Sequence, residues 1–237
     1  MRKSRIAGLL LVSMATLAQK QQPVEITSEP RHHHVLENRY VRVFDVTVEP
    51  KGSTLVHRHN YDYLFVTLGD SQVASVRPGE KPVELSLQDG EIRFTPGKFA
   101  HAAINRSDKP FHNTTIELLQ SSTNVKTCTE ACEVPLACIS AGSGCPTIER
   151  RITSDQWSAS LVKIPPRARL EDHVPGAPYL LVAVSALNLG GGSADPRTNL
   201  ALSPGSLSWV QTSTHAIVNN SSIPAEFVTL EFHGAMQ

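Results

Sequence analysis

His57-Arg58-His59-Asn60-Tyr61-Asp62-Tyr63 is the stretch on which the fold turns. It lies between the turn signal Pro50-Lys51-Gly52 and an apolar run that stops at Gly69. The flanking residues read as β, with side chains repeating every second position. His57 and His59 therefore point to one face, and Tyr61, Tyr63 and Phe65 share it unless a bulge intervenes. Two inward imidazoles are a start on a metal site. Asp62 falls on the opposite face and reaches that site only through a bulge.

Outward from this stretch the chain continues as short strands. Residues 40–48 alternate in β-formers, and residues 73–76, 83–87, 92–94 and 111–119 repeat the pattern. Arg77-Pro78-Gly79-Glu80, Asp89-Gly90, Pro96-Gly97 and Asn105-Arg106-Ser107-Asp108 supply the turns. Strands recurring about every ten residues are the cue for an all-β sandwich or barrel. Residues 121–147, rich in Ser, Thr, Gly and Cys, break the pattern and read as a connection. β character resumes over 157–164, 179–187, 209–211, 215–218 and 226–232. Gly190-Gly191-Gly192 lacks the lysine of a phosphate loop and reads as a hairpin loop.

Composition excludes some function classes. The 237 residues carry 22 Lys+Arg and 22 Asp+Glu, a formal net charge of +0. That balance gives no electrostatic case for nucleic acid or an anionic surface. Aromatics at 5% also argue against a base-stacking platform.

The N-terminus is a separate object. Arg2, Lys3 and Arg5 precede a mainly apolar run over 6–18 that ends in Thr16-Leu17-Ala18. This is the pattern of a cleaved secretory signal over residues 1–18, and it places the chain in the periplasm or outside the cell. The run is too short for a comfortable membrane span, so no stable span is expected after cleavage. Residues 19–35 are expected to be a polar leader. Within it His32-His33-His34 cannot all face one pocket from a strand, so a surface or strand-entry role is expected, with one imidazole in reach of a neighbouring site. Cys128, Cys132, Cys138 and Cys145 form an even, clustered set. In an exported chain they read as two disulfides with three pairings open. A zinc or redox module on the same cysteines is the alternative, weakened because no CxxC pair and no His falls in the cluster.

The second half echoes the first. His173 and Tyr179 each stand 116 residues after His57 and Tyr63. His215-Ala216-Ile217-Val218-Asn219 matches His101-Ala102-Ala103-Ile104-Asn105, and Thr229-Leu230-Glu231 matches Thr115-Ile116-Glu117, both at an offset of 114. Ordered matches at nearly constant offset support an internal duplication.

On these residues the chain resembles the cupin superfamily. Gly52, His57, His59 and Gly69 match its first motif, with one residue fewer between Gly52 and His57. Tyr63 stands where that motif carries Glu. Gly90, Pro96, His101 and Asn105 match its second motif, with Gly97 directly after Pro96. The likeness is close over 36–120 and weak over 155–234. It implies a secreted bicupin: two tandem double-stranded β-helix (jelly-roll) barrels, one over 36–120 and a degenerate one over 151–237, joined by a Cys-containing connection over 121–150.

The resemblance further implies that His57, His59 and His101 converge on one divalent transition metal, with Fe, Mn, Zn, Cu and Ni all open. A three-histidine site leaves coordination positions for water, dioxygen or a chelating substrate. Tyr63 is the candidate catalytic residue, as a weak ligand, a hydrogen-bond donor to bound oxygen, or plain filling. In the second half Pro175 replaces the second histidine and Tyr179 the Glu, so only His173 and His215 remain and that site is expected to be empty. The function expected is that of a metal-binding protein acting, in a dioxygenase-like or isomerase-like manner, on a small oxygen-rich or phenolic ligand. The alternative is a non-catalytic cupin that binds a ligand or supports an assembly. A homodimer is left open by the resemblance.

Overall fold

A computed structural model describes residues 22–128, 144–171, 177–191, 199–211 and 216–233. The signal-peptide reading of 1–18 lies outside them, as do Cys132, Cys138, His173, Pro175 and His215. Among the described residues no helix is long and apolar enough to cross a membrane.

Before the connection the strands are β1 (Val24–Glu25), β2 (His32–Glu37), β3 (Val41–Val48), β4 (His57–His59), β5 (Tyr63–Leu68), β6 (Ser71–Val76), β7 (Val83–Leu87), β8 (Ile92–Thr95), β9 (Phe99–Asn105) and β10 (Phe111–Leu118). After it come β11 (Lys126–Thr127), β12 (Thr147–Thr153), β13 (Trp157–Ile164), β14 (Arg169–Leu170), β15 (Tyr179–Ala183), β16 (Leu187–Gly191), β17 (Leu200–Leu202), β18 (Leu207–Val210), β19 (Ile217–Asn219) and β20 (Ala225–Phe232). They form four sheets, ordered β1-β4-β9-β6-β7, β2-β3-β10-β5-β8, β11-β12-β13-β20-β15-β18 and β14-β19-β16-β17.

The second of these sheets is buried on both faces, and strand periodicity divides its side chains between two interiors. Phe44, Val46 and Val48 of β3 and Phe111 of β10 join an interior that adjoins the histidines. Val41, Val43, Leu64, Val66, Ile116 and Leu118 point the other way. There they meet Ile152, Trp157, Leu161, Leu180, Val228 and Leu230, which come from beyond the connection. The Phe94 and Trp157 rings lie 5.8 Å apart across this junction.

The expectation of two tandem barrels, and with it the bicupin reading, is corrected here. None of the four sheets closes on itself. The largest core cluster draws on strands from both sides of 121–150, so neither side keeps its apolar surface to itself. The described residues form one all-β jelly-roll domain, and among them no barrel closes. The internal repeat survives as local chemistry within that domain. Asn105 donates from Nδ2 to the carbonyls of Val48, Glu49 and Lys109. Asn219 donates in the same way to Ile164, Pro165 and Ile223.

The cysteine framework is established only in part. Cys128 and Cys145 are disulfide-bonded, and no described cysteine is a free thiol. The expected pair of bridges is not established, because Cys132 and Cys138 lie outside the described residues.

Candidate metal centre

β4 and β9 run antiparallel with His57 directly opposite His101, and His59 opposite Phe99. Period-two geometry turns all three imidazoles inward, and each is buried. Their ligating atoms all lie within 4.8 Å of one another. His59 Nε2 is 3.1 Å from His57 Nε2 and 3.3 Å from His101 Nε2.

The outer nitrogens explain why these atoms face one another. His57 Nδ1 donates to the Leu55 carbonyl at 3.0 Å, which leaves its Nε2 as a bare lone pair. His101 Nδ1 lies 2.8 Å from Ser75 Oγ. Partners of this kind orient imidazoles that ligate a metal. His59 Nδ1 is buried without a hydrogen-bond partner among the described residues. Its ring is held by stacking instead: the Tyr63 ring lies 4.0 Å away, centroid to centroid, at 13°.

Burial also sets the charge of the cluster. It pushes His57 down to about 4 and His101 down to about 3, and the neighbouring imidazoles add to the effect. His59 is pushed down still more strongly by the same causes. All three are therefore neutral at pH 7, the form in which a histidine binds a metal. Three neutral imidazoles with converging nitrogens fit a single divalent transition metal, for which a site of three nitrogen donors leaves further coordination open.

The other residues singled out by sequence take different places. Tyr63 faces inward, but as a buried prop on His59, and burial pushes its phenol up to about 12. Asp62 Oδ1 accepts the Gly97 N–H at 2.8 Å and so anchors the Pro96-Gly97 turn. A Cβ at Gly97 would collide with the Tyr61 carbonyl, which accounts for glycine there. Glu117 is buried and pairs with Arg42 at 3.2 Å.

Two residues in the expected polar leader belong to the site. His33 and His34 are exposed, but His32 is buried, with its ring 4.5 Å from that of His57. Its Nδ1 lies 2.6 Å from Glu29 Oε2. Glu29 Oε1 also accepts the Leu55 N–H at 3.0 Å, two residues before the first metal-site histidine. Parallel pairing of β1 with β4, Val24 opposite His57, docks this segment against the centre.

The histidines form part of the wall of a cavity of about 410 Å³. Val46, Phe65, Val73 and Leu87 make much of its lining apolar, and Arg77 and Arg93 bring positive charge to it. The Arg77 guanidinium lies 4.1 Å from the Phe99 ring centroid, and that ring is 5.2 Å from His101. Arg93 is paired with Glu91. Glu80 and Lys81 also line the cavity, and no carboxylate among the described residues forms an ion pair with Arg77.

No family model and no curated protein matches the chain. Solved structures do. AerE from Microcystis aeruginosa superposes with a TM-score of 0.57 at 12% identity, over 87% of this chain and 99% of that one. The same superposition runs through both sides of the connection as a single unit. Oxalate decarboxylase from Bacillus subtilis, described with Mn(II) centres, gives 0.55 at 13% identity, over 89% of this chain and 77% of its own. A cupin domain from Bordetella pertussis is 28% identical over 41% of this chain and 96% of its own, with a TM-score of 0.35. The chain shares the all-β fold of the first two of these structures as a single domain, and its three buried histidines fit one divalent transition-metal site.

Proposed function

We propose that this domain uses its metal site to bind, and act on, a small oxygen-rich anion. The observation that carries this reading is the placement of His57, His59 and His101 in the wall of a cavity that also contains Arg77. A divalent transition metal held by the three imidazoles supplies a Lewis acid with open positions. Arg77 supplies a cation that no carboxylate among the described residues pairs with, suited to a carboxylate or phenolate oxygen. The apolar part of the lining lowers the local dielectric and so strengthens both interactions. The low-identity resemblance to a decarboxylase of a small dicarboxylate supports the size of the ligand, not its identity.

A non-catalytic binding role has one observation in its favour. The position at which the cupin pattern carries Glu is held by Tyr63, and among the described residues no carboxylate joins the cluster. Location in the periplasm or outside the cell is part of the proposal and rests on the basic and apolar N-terminal pattern.

The test is calorimetric titration of acetate into the Co(II)-loaded chain. The proposal expects binding that EDTA abolishes and that Arg77→Met weakens about tenfold, the order of one charge-assisted contact. Acetate binding unaffected by EDTA would contradict it.

A further inference from the structure

Two sheets line the cavity. The histidines come from β4 and β9 of one, and Phe111, Asn113 and Thr115 from β10 of the other. Asn113 is 4% exposed and sits in mainly apolar company, with Val46 opposite it on β3 and Phe111 two residues before it. Thr115 Oγ1 donates to Asn113 Oδ1 at 2.8 Å. Turning the amide over would set Nδ2 against that hydroxyl and leave the hydroxyl hydrogen without an acceptor among the described residues. Oδ1 therefore faces Thr115, and Nδ2 is the free end. No group among the described residues accepts from Nδ2. The matching segments of the chain show that the fold does not require asparagine here. At the offset of 114 that aligns Thr115 with Thr229 and Glu117 with Glu231, Asn113 aligns with Phe227. Phe227 is fully buried in an apolar cluster, and Thr229 Oγ1 has no hydrogen-bond partner among the described residues. The half that holds the three histidines keeps an amide where the other keeps a ring.

We infer that Asn113 is a ligand-binding residue whose Nδ2 donates to a neutral carbonyl oxygen of the bound anion, so that the cavity takes small oxo acids in preference to plain carboxylates of the same size. The two ends of such a molecule find different partners. Its carboxylate meets the charged Arg77 guanidinium. Its carbonyl meets the uncharged amide on β10. A hydroxyl suits that amide less well, because it brings a hydrogen of its own and the amide's acceptor, Oδ1, is already engaged by Thr115. A site built around a buried donor discriminates against an analogue that offers it no acceptor, because the donor is then left unpaired. Thr115 acts through Asn113 by fixing which way its amide faces.

This inference rests on the anion-binding reading above and is tested so that the two fail separately. The probes are pyruvate and propionate, which differ by one oxygen in place of two hydrogens, titrated by calorimetry into the full chain loaded with Co(II). Pyruvate also chelates metals better than propionate, so the quantity read is the change in the propionate-to-pyruvate ratio of Kd between wild type and variant. Asn113→Leu, which is close to asparagine in shape, is expected to lower that ratio about tenfold, the order of one buried hydrogen bond. If Asn113→Leu does not fold, Asn113→Ala is read in its place with the same expectation. An unchanged ratio in a folded Asn113 variant that still holds one Co(II) would overturn the inference and leave the metal site standing. A folded variant that loses its Co(II) would also overturn it, by showing that Asn113 serves the metal site instead. Wild-type protein that takes up no Co(II), or that binds neither probe, would overturn the anion-binding reading and this inference with it.

Discussion

The Tyr63 ring lies almost flat on the His59 imidazole, with centroids 4.0 Å apart and planes 13° apart. His59 has no hydrogen-bond partner on Nδ1 among the described residues, so this stack is what orients it. Tyr63 thus serves the centre through its ring. Its hydroxyl, pushed up to about 12, stays protonated at neutral pH.

Tyr63→Phe is therefore expected to keep full metal stoichiometry and to change stability by less than about 1 kcal/mol, as a surviving stack requires. Tyr63→Ala should cost about 3–5 kcal/mol from the cavity it leaves and should also weaken metal retention, because His59 is freed. Urea unfolding and elemental analysis of both variants check this. Loss of metal in Tyr63→Phe would show that the hydroxyl is a ligand.

Acid should unfold the metal-free protein early. His57 and His101 titrate at about 4 and about 3 in the folded state, and His59 is depressed further. The unfolded chain, with histidines near 6.5, binds more protons below that pH, so stability falls as pH drops from 6.5 to 4. Each imidazole contributes about 1.4 kcal/mol per pH unit in that window. Bound metal competes with those protons, so loading should flatten the profile. Urea midpoints from pH 7 to pH 4, with and without Co(II), measure the difference, and parallel profiles would refute it.

Glu117 should act in the opposite sense. Burial raises its carboxyl to about 7, against which the Arg42 charge and hydrogen bond work only in part. Between about 4.5 and 7 the folded state holds the extra proton, so this group's contribution falls as pH rises. Glu117→Gln is expected to gain stability at pH 8 relative to its effect at pH 5. An equal effect at both values would show that Glu117 titrates normally.

Asn105→Ala should cost about 3 kcal/mol, because three backbone carbonyls lose a buried donor. It should also disturb metal binding, since Asn105 ends the strand that carries His101. Asn219→Ala removes the same three-bond arrangement at the other end of the domain and should cost a similar amount while leaving metal uptake intact. Equal losses of metal in both variants would contradict the assignment of the site to β4 and β9.

The histidine centre was legible in the sequence because strand alternation alone puts His57 and His59 on one face, and the cupin resemblance brings His101 to them. Of His32-His33-His34 the sequence showed that one imidazole could reach a site but not which, and Glu29 was not legible. It sits among polar residues and prolines without periodicity, and its burial comes from the tertiary contacts of its segment: β1 docks on β4, His32 pairs with Val46 of β3, and Leu55 donates to Glu29. The repeated asparagines make matching local bonds. They misled on architecture, because alternation in β3, β5 and β10 shows two apolar faces but not which partner covers each. Here the outer face is covered by the strands beyond the connection, which makes one domain.

The central claim is one divalent metal held by His57, His59 and His101. Its most direct test is the Co(II) content of the full chain after loading and dialysis, read by elemental analysis beside His59→Ala. One Co(II) per wild-type chain, with most of it lost in the variant, is the expected result. Wild-type protein that retains no more metal than His59→Ala would contradict the account.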